Sequence, residues 1–243
     1  MNKIKICILM CGQKRQFDQV KKTFQENVIN NLLKQNVEID SFSHTDESLE
    51  LFNLKGKICK KLPELYKNIP ILFLRFYECY NNLVKPYISK NDVKYDFFIC
   101  TRPDLIYFKN CLEEISMWDK NKINARMRVY PNLLQLHHQT GYLDKGIETI
   151  DDKFFIIHNN LIEKAFTLDY GDYEIKSKND WDEGKITKLW NSNNIKFKLL
   201  YLNAMIYNWR FDKDKKIYNK RLKYSRHRSL KFIHRYGVEW RLR

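Results

Sequence analysis

Along this chain, short continuous apolar runs alternate with segments whose apolar residues recur every three or four positions. The run from Lys3 to Met10, rich in Ile, Cys, Leu and Met, reads as a first strand covered on both faces. Cys11-Gly12-Gln13-Lys14-Arg15 follows as a polar turn. Phe17 to Lys34 then carries apolar residues at 17, 20, 24, 28, 29, 32 and 33, the stripe of an amphipathic helix. Val37 to Phe42 gives a second strand ending at Ser43-His44-Thr45-Asp46, so the chain opens as strand, helix, strand. That alternation predicts an α/β fold in one domain, with a mostly parallel central sheet flanked by helices.

The same reading places a helix over Pro70 to Val84, with Leu72, Phe73, Phe76, Tyr80 and Leu83 as its buried stripe, and a strand over 95 to 100. Ile123 to Val129, Asn132 to His137 and Lys153 to His158 read as further strands. Leu161 to Tyr170 and Asp182 to Asn191 read as helices, and Ile195 to Leu202 as a late strand. Beyond Trp209 the pattern is that of a helical or irregular tail, which divides the chain into 1–209 and a C-terminal extension, 210–243.

Composition fits a packed core: 44% of the 243 residues are hydrophobic and 14% aromatic, with few Gly or Pro to form linkers. The six cysteines include no CxxC pair, and no Cys/His set has zinc spacing, so buried free thiols in a reducing compartment are expected. Ile69 to Phe76 is interrupted by Arg75, and Leu199 to Trp209 is too short to span a bilayer; a soluble, cytoplasmic protein is the expectation. The net charge of +15 is uneven. Residues 210–243 hold 13 Lys/Arg against 3 Asp/Glu, a net of +10 and two-thirds of the excess.

Candidate chemistry gathers where strands end. In Tyr95 to Phe108, two apolar runs flank Thr101-Arg102-Pro103-Asp104, and Pro103 cannot donate to a sheet ladder, so pairing should falter where the charges emerge. Ligands of open α/β sheets collect at such strand ends. A guanidinium can fork onto phosphate oxygens, and a nearby carboxylate can hold a divalent cation for the same phosphates. The competing account is that Arg102 and Asp104 merely pair with each other at the surface.

Gly12 and Arg15, after the first strand, suit close backbone approach and phosphate contact, although Arg15 also reads as a solvated turn charge. Asp151 and Asp152, preceding an apolar strand, offer either a general base or a turn cap. Glu183 offers a ligand for a sugar hydroxyl or an ordinary first-turn helix acid. No GxGxxG fingerprint, P-loop or GxSxG elbow is present.

Taken in order, these segments resemble a family of GT-A-like glycosyltransferases found in polysaccharide clusters and in large DNA viruses. The resemblance runs through Cys11 to Phe17, the strand end Asp40 to Thr45, Tyr95 to Asp104, Asp152-Lys153-Phe154, and Glu183 to Ile195. It implies a GT-A-like, Rossmann-type domain that transfers a hexose or deoxyhexose from a UDP- or GDP-sugar to a hydroxyl of a glycan or glycan-lipid. It implies a donor bordered by Gly12, Arg15, His44, Thr45, Arg102, Asp104 and Glu183, with Asp152 as acceptor base if the reaction inverts. Asp104 would stand where the last aspartate of a D-x-D motif holds Mn²⁺ or Mg²⁺; Arg102 stands where that motif has its first aspartate and is itself able to neutralise diphosphate. A viral source would place the protein in host cytoplasm.

The rival class is a nucleic-acid binder, in which Tyr218, Tyr224, His227, Phe232, Tyr236 and Trp240 stack on bases among the basic residues of the tail. The tail also suits an anionic membrane surface bearing a lipid-linked acceptor, or simply a solvated face.

Overall fold

In the computed structural model, residues 3–62, 69–129, 149–167, 182–206 and 238–240 are described. They form an α/β domain around one mostly parallel mixed sheet. The strands are β1 (Ile4–Gly12), β2 (Val37–Thr45), β3 (Leu54–Cys59), β4 (Phe97–Thr101), β5 (Leu105–Leu112), β6 (Lys122–Val129), β7 (Thr149–His158), β8 (Lys196–Leu199), β9 (Leu202–Ile206) and β10 (Val238–Trp240). Eight of them make the main sheet in the order β10-β6-β7-β4-β1-β2-β3, with β8 also paired to β6, while β5 and β9 form a separate antiparallel pair.

The pairs β1–β2, β1–β4, β2–β3, β6–β8 and β6–β10 are parallel, and β7 runs antiparallel between β4 and β6. Because β2 and β4 lie on opposite sides of β1, the connections diverge at β1, the place where open α/β sheets gather ligands beyond the strands' carboxyl ends.

Strand alternation divides the core into two layers. Cys7, Leu9, Cys11, Phe98, Cys100, Phe155 and Ile157 face one side, where they meet α3 (Ile71–Cys79) and α6 (Asp182–Ser192). Ile6, Ile8, Met10, Ile99, Phe154 and Ile156 face the other, under α1 (Phe17–Phe24), α2 (Asn30–Leu33) and the β5–β9 pair. Both faces being covered explains why β1 and β4 read as unbroken apolar runs. On the first side Trp190 is fully buried; its ring meets Phe155 and Phe73 edge-on, and its indole N–H donates to Ala165 O at 3.0 Å.

The helix expected from Phe17 to Lys34 is α1 and α2 joined by a π turn, Gln25–Ile29. Asn27 in that turn ties it to β5: its side-chain amide donates to Tyr107 O at 2.9 Å, and its carbonyl accepts from the Cys111 thiol at 3.1 Å. A second π turn, Tyr80–Val84, carries α3 into α4 (Lys85–Asn91), so this helix runs past the expected end at Val84. Pro86, which lacks an N–H, follows closely on that π turn.

The single late strand expected from Ile195 to Leu202 is in fact two strands in different sheets. β8 pairs with β6 and β9 with β5, with the change made at Leu200, whose N–H donates to Ala125 O at 2.9 Å. The helix expected over Leu161 to Tyr170 is α5 (Ile162–Ala165) within the described residues. The strand expected over Asn132 to His137 and most of the basic extension, 210–237 and 241–243, lie outside the described residues. Val238–Trp240 is strand, paired with Met127–Val129 of β6. Among the described residues no helix is long and apolar enough to cross a membrane. All six cysteines are free, and only Cys59 is exposed.

Candidate functional site

β1 and β4 deliver their carboxyl ends to one row. Met10 is registered with Thr101, and Gly12 with Thr45 of β2. Thr101 is registered in turn with Phe154 on antiparallel β7. Beyond that row, Gly12 meets the Arg102-Pro103 turn, Thr45 stands beside Gly12, and Asp152 lies two residues before Phe154, where the β6–β7 register is irregular. Segments about 90 residues apart in sequence thus meet at the ends of β1 and β4.

Gly12 has φ +137°, and a Cβ added there would lie 3.2 Å from Pro103 Cδ and 4.0 Å from Arg102 Cγ. The absent side chain therefore lets the Arg-Pro-Asp turn close over the end of β1. The turn is fixed from below. The Thr101 and Tyr107 hydroxyls lie 2.5 Å apart, and Tyr107 N donates to Thr23 Oγ1 of α1 at 3.1 Å. Tyr107 is buried, and loss of hydration drives its phenol pKa well up, so it remains a neutral strut.

Arg102 and Asp104 do pair, as the competing account from sequence expects, but not at the surface. Arg102 Nε donates to Asp104 Oδ1 at 2.8 Å and a terminal nitrogen to Oδ2 at 2.7 Å. Asp104 is only 1% exposed. A second guanidinium, Arg15, donates to the same Oδ2 at 3.0 Å. Arg15 has φ +40°, in the left-handed region that costs a non-glycine residue about 1 kcal/mol or more. Its Nε is steered by Gln13 Oε1 at 2.8 Å, and its loop is tied to the end of β2 by Lys14 N donating to Asp46 Oδ1 at 2.7 Å. Two guanidiniums thus share one buried carboxylate.

His44 and Thr45, expected at the border of the nucleotide, do end β2 beside Cys11 and Gly12, but both are buried. Thr45 Oγ1 donates to Glu47 O at 2.5 Å. His44 Nδ1 lies 2.9 Å from a terminal nitrogen of Arg75, and Nε2 lies 2.8 Å from Glu78 Oε2. Since a guanidinium can only donate, Nδ1 accepts and Nε2–H donates to Glu78, which fixes the neutral tautomer. Burial, with Arg75 beside it, outweighs Glu78 and lowers the His44 pKa. Arg75 is itself buried, its pKa lowered by loss of hydration, and its backbone carbonyl accepts from the Cys11 thiol at 3.6 Å.

Arg75 and Glu78 were not legible as site residues. The one available signal is a charged residue inside an apolar helical stripe, three positions before a glutamate.

Asp152, near the start of β7 on the strand next to β4, is buried. Lys153, next to it on β7, and Arg126 on adjoining β6 are two further buried cations, with Arg126 donating to Ala204 O of β9. Glu183 is in the first turn of α6; its side chain and that of Asp151 lie outside the described residues.

The donor set at Asp104 does not fit a divalent cation. Its two oxygens already accept three guanidinium N–H bonds, leaving about one of the four lone-pair sites of a carboxylate, beside two positive charges. Among the described residues no group of three or more His, Cys, Asp or Glu could hold a metal ion.

A groove of about 400 Å³ lies at the opposite, amino-terminal end of the strands, lined by Lys5, Asp40, Asn53, Lys55 and Tyr95 among others. Its polar groups satisfy one another: Asp40 accepts from Tyr95 at 2.6 Å and from Asn53 at 2.7 Å, and pairs with Lys55 at 3.5 Å. The carboxyl-end edge, where two arginines share one buried carboxylate, is the candidate site.

The fold and this edge define an α/β protein with two arginines gathered on a buried aspartate where the connections of a mostly parallel sheet diverge. No protein-family model matches the sequence, and no curated protein matches it.

Proposed function

We propose that the protein is a GT-A-like glycosyltransferase that takes a nucleotide-diphosphate sugar, UDP- or GDP-linked, and transfers the sugar to a hydroxyl of a glycan or glycan-lipid. One observation carries the reading: Gly12 and Arg15 after β1 meet Arg102 and Asp104 after β4 in one cluster at the carboxyl ends of neighbouring parallel strands, with Asp152 on the adjacent strand β7. A parallel sheet whose connections diverge at β1 supports it, because such a divergence opens a crevice for a ligand.

In the transfer, the acceptor oxygen bonds to the anomeric carbon as the bond from that carbon to the diphosphate oxygen breaks. Arg15 and Arg102 stabilise the charge that develops on the departing diphosphate; they are held before the reaction rather than assembled during it. Asp152 takes the proton of the acceptor hydroxyl. A base in that role belongs to an inverting transfer, so the product anomer checks the assignment. His44, with both ring nitrogens engaged inside the protein, positions the end of β2 rather than contacting the nucleotide.

The test is thermal stabilisation of the full chain by a panel of UDP-, GDP-, TDP- and CMP-sugars, with Arg102→Met alongside. Stabilisation by one nucleotide class, weakened in Arg102→Met, is the expected result. No shift with any donor up to millimolar concentration would refute the reading.

A further inference from the structure

We infer that the crevice binds the diphosphate without a divalent cation, and that Asp104 serves as the anchor of a two-arginine clamp rather than as a metal ligand. The inference rests on the donor-site reading above and deepens it.

Three geometric facts carry it. First, Asp104 is almost fully buried and directs both oxygens at guanidinium groups, so its charge is already spent on protein cations. Second, the two arginines are held differently. Arg102 is gripped in the two-bond fork, its side chain 18% exposed, whereas Arg15 gives Asp104 one bond and keeps 46% of its side chain exposed. Arg102 is thus the fixed half of the clamp, and the half-exposed Arg15 the half that a ligand can reach. Third, Arg15 holds φ +40°, a conformation that nothing in the turn demands of an arginine in particular. Strained backbone of this kind persists where the surroundings fix it, here the Gln13 and Asp104 contacts on the guanidinium itself.

A dication at Asp104 would have to displace these bonds and sit against two positive charges. A diphosphate meets the opposite situation: its oxygens find two planar cationic donors already held in place. The buried carboxylate keeps the guanidinium planes from swinging away when no ligand is bound, so little ordering is left for the binding step.

The experiment is calorimetric titration of the full chain with UDP, GDP and TDP, each in EDTA and in millimolar Mn²⁺ or Mg²⁺, on the wild type, Arg15→Met and Asp104→Asn. The inference predicts that one nucleoside diphosphate binds with a Kd unchanged within about twofold between EDTA and metal. Arg15→Met, a half-exposed site whose loss leaves the core intact, should weaken binding about 10- to 100-fold in both conditions, as expected for one charge-assisted contact. Asp104→Asn should weaken it equally in both, because the anchor and not a metal has been lost.

Binding that appears only with metal, and in which Asp104→Asn removes the metal effect, would overturn the inference while leaving the donor site standing. Wild-type affinity in Arg15→Met would overturn the clamp on its own, whatever Asp104→Asn does to the fold. Absence of binding by any diphosphate in either condition would defeat the donor-site reading itself.

Discussion

Replacing Gly12 by alanine tests how the two halves of the site are held together. Gly12 has φ +137°, where an L-residue is strained by about 1 to 3 kcal/mol. The new Cβ would also lie 3.2 Å from Pro103 Cδ, part of a rigid ring that cannot rotate away; overpacking of this kind costs about 1 to 3 kcal/mol. Reduced freedom of the unfolded chain returns about 0.4 to 1 kcal/mol. The net expectation is a loss of about 1 to 5 kcal/mol, centred near 3, or about 2 to 4 °C of Tm per kcal/mol for a chain of this size. The steric share can be isolated. Pro103→Ala removes the ring, so in a denaturation cycle Gly12→Ala/Pro103→Ala should be less destabilised than the sum of the singles by about 1 to 3 kcal/mol. Arg102 follows the turn, so Gly12→Ala should also weaken nucleotide binding. Stability of Gly12→Ala within about 0.5 kcal/mol of wild type, or singles that simply add, would show that the turn is not packed on β1 as described.

Other expectations are independent of that contact. Asp152→Asn should fold and bind donor while lowering the transfer rate about 10² to 10⁴-fold, measured under saturating donor. His44, neutral and with a lowered pKa, makes the native state take up its proton less readily than the unfolded chain; stability should be fully present above the ordinary value of about 6.5 and fall as the pH drops below it. That acid-side slope should flatten in His44→Gln, as read from urea midpoints across pH. Trp190→Ala empties a fully buried site between α6 and β7 and should cost about 3 to 5 kcal/mol by chemical denaturation. A thiol reagent should label one cysteine rapidly, Cys59, and all six only after unfolding, because burial excludes the reagent and raises the Cys7, Cys11 and Cys100 thiols well above their ordinary pKa, with Cys111 pushed up to about 12.

What could be read from sequence follows the strength of the local pattern. β1, α1, β2, β4 and β7 rest on long apolar runs or a clear helical stripe, and their placement needed nothing else. β3 was missed although Leu54 to Cys59 alternates in burial, because Lys55, Lys57 and Gly56 make an edge strand look like a loop. β8 and β9 merged into one because the break at Leu200-Tyr201 lies inside an apolar run and is imposed by a tertiary hydrogen bond to Ala125.

At the site, Arg102 and Asp104 stood out because charge follows a buried strand abruptly. That Arg15 would join them was a guess from its position after β1; the contact itself depends on sheet register, which no local pattern encodes. Arg75 shows the opposite case. In sequence it merely interrupts an apolar run, whereas in the fold it is a buried cation whose partner, His44, arrives on a different element.

The central claim is that a nucleoside diphosphate sits at the carboxyl ends of β1 and β4. A crystal structure of the full chain with UDP or GDP, whichever binds, tests it most directly. The account predicts diphosphate oxygens within hydrogen-bonding distance of the Arg15 and Arg102 guanidiniums, with Asp104 still behind them. A nucleotide seated elsewhere, for example in the groove lined by Lys5, Asp40 and Tyr95 at the other end of the sheet, would contradict it.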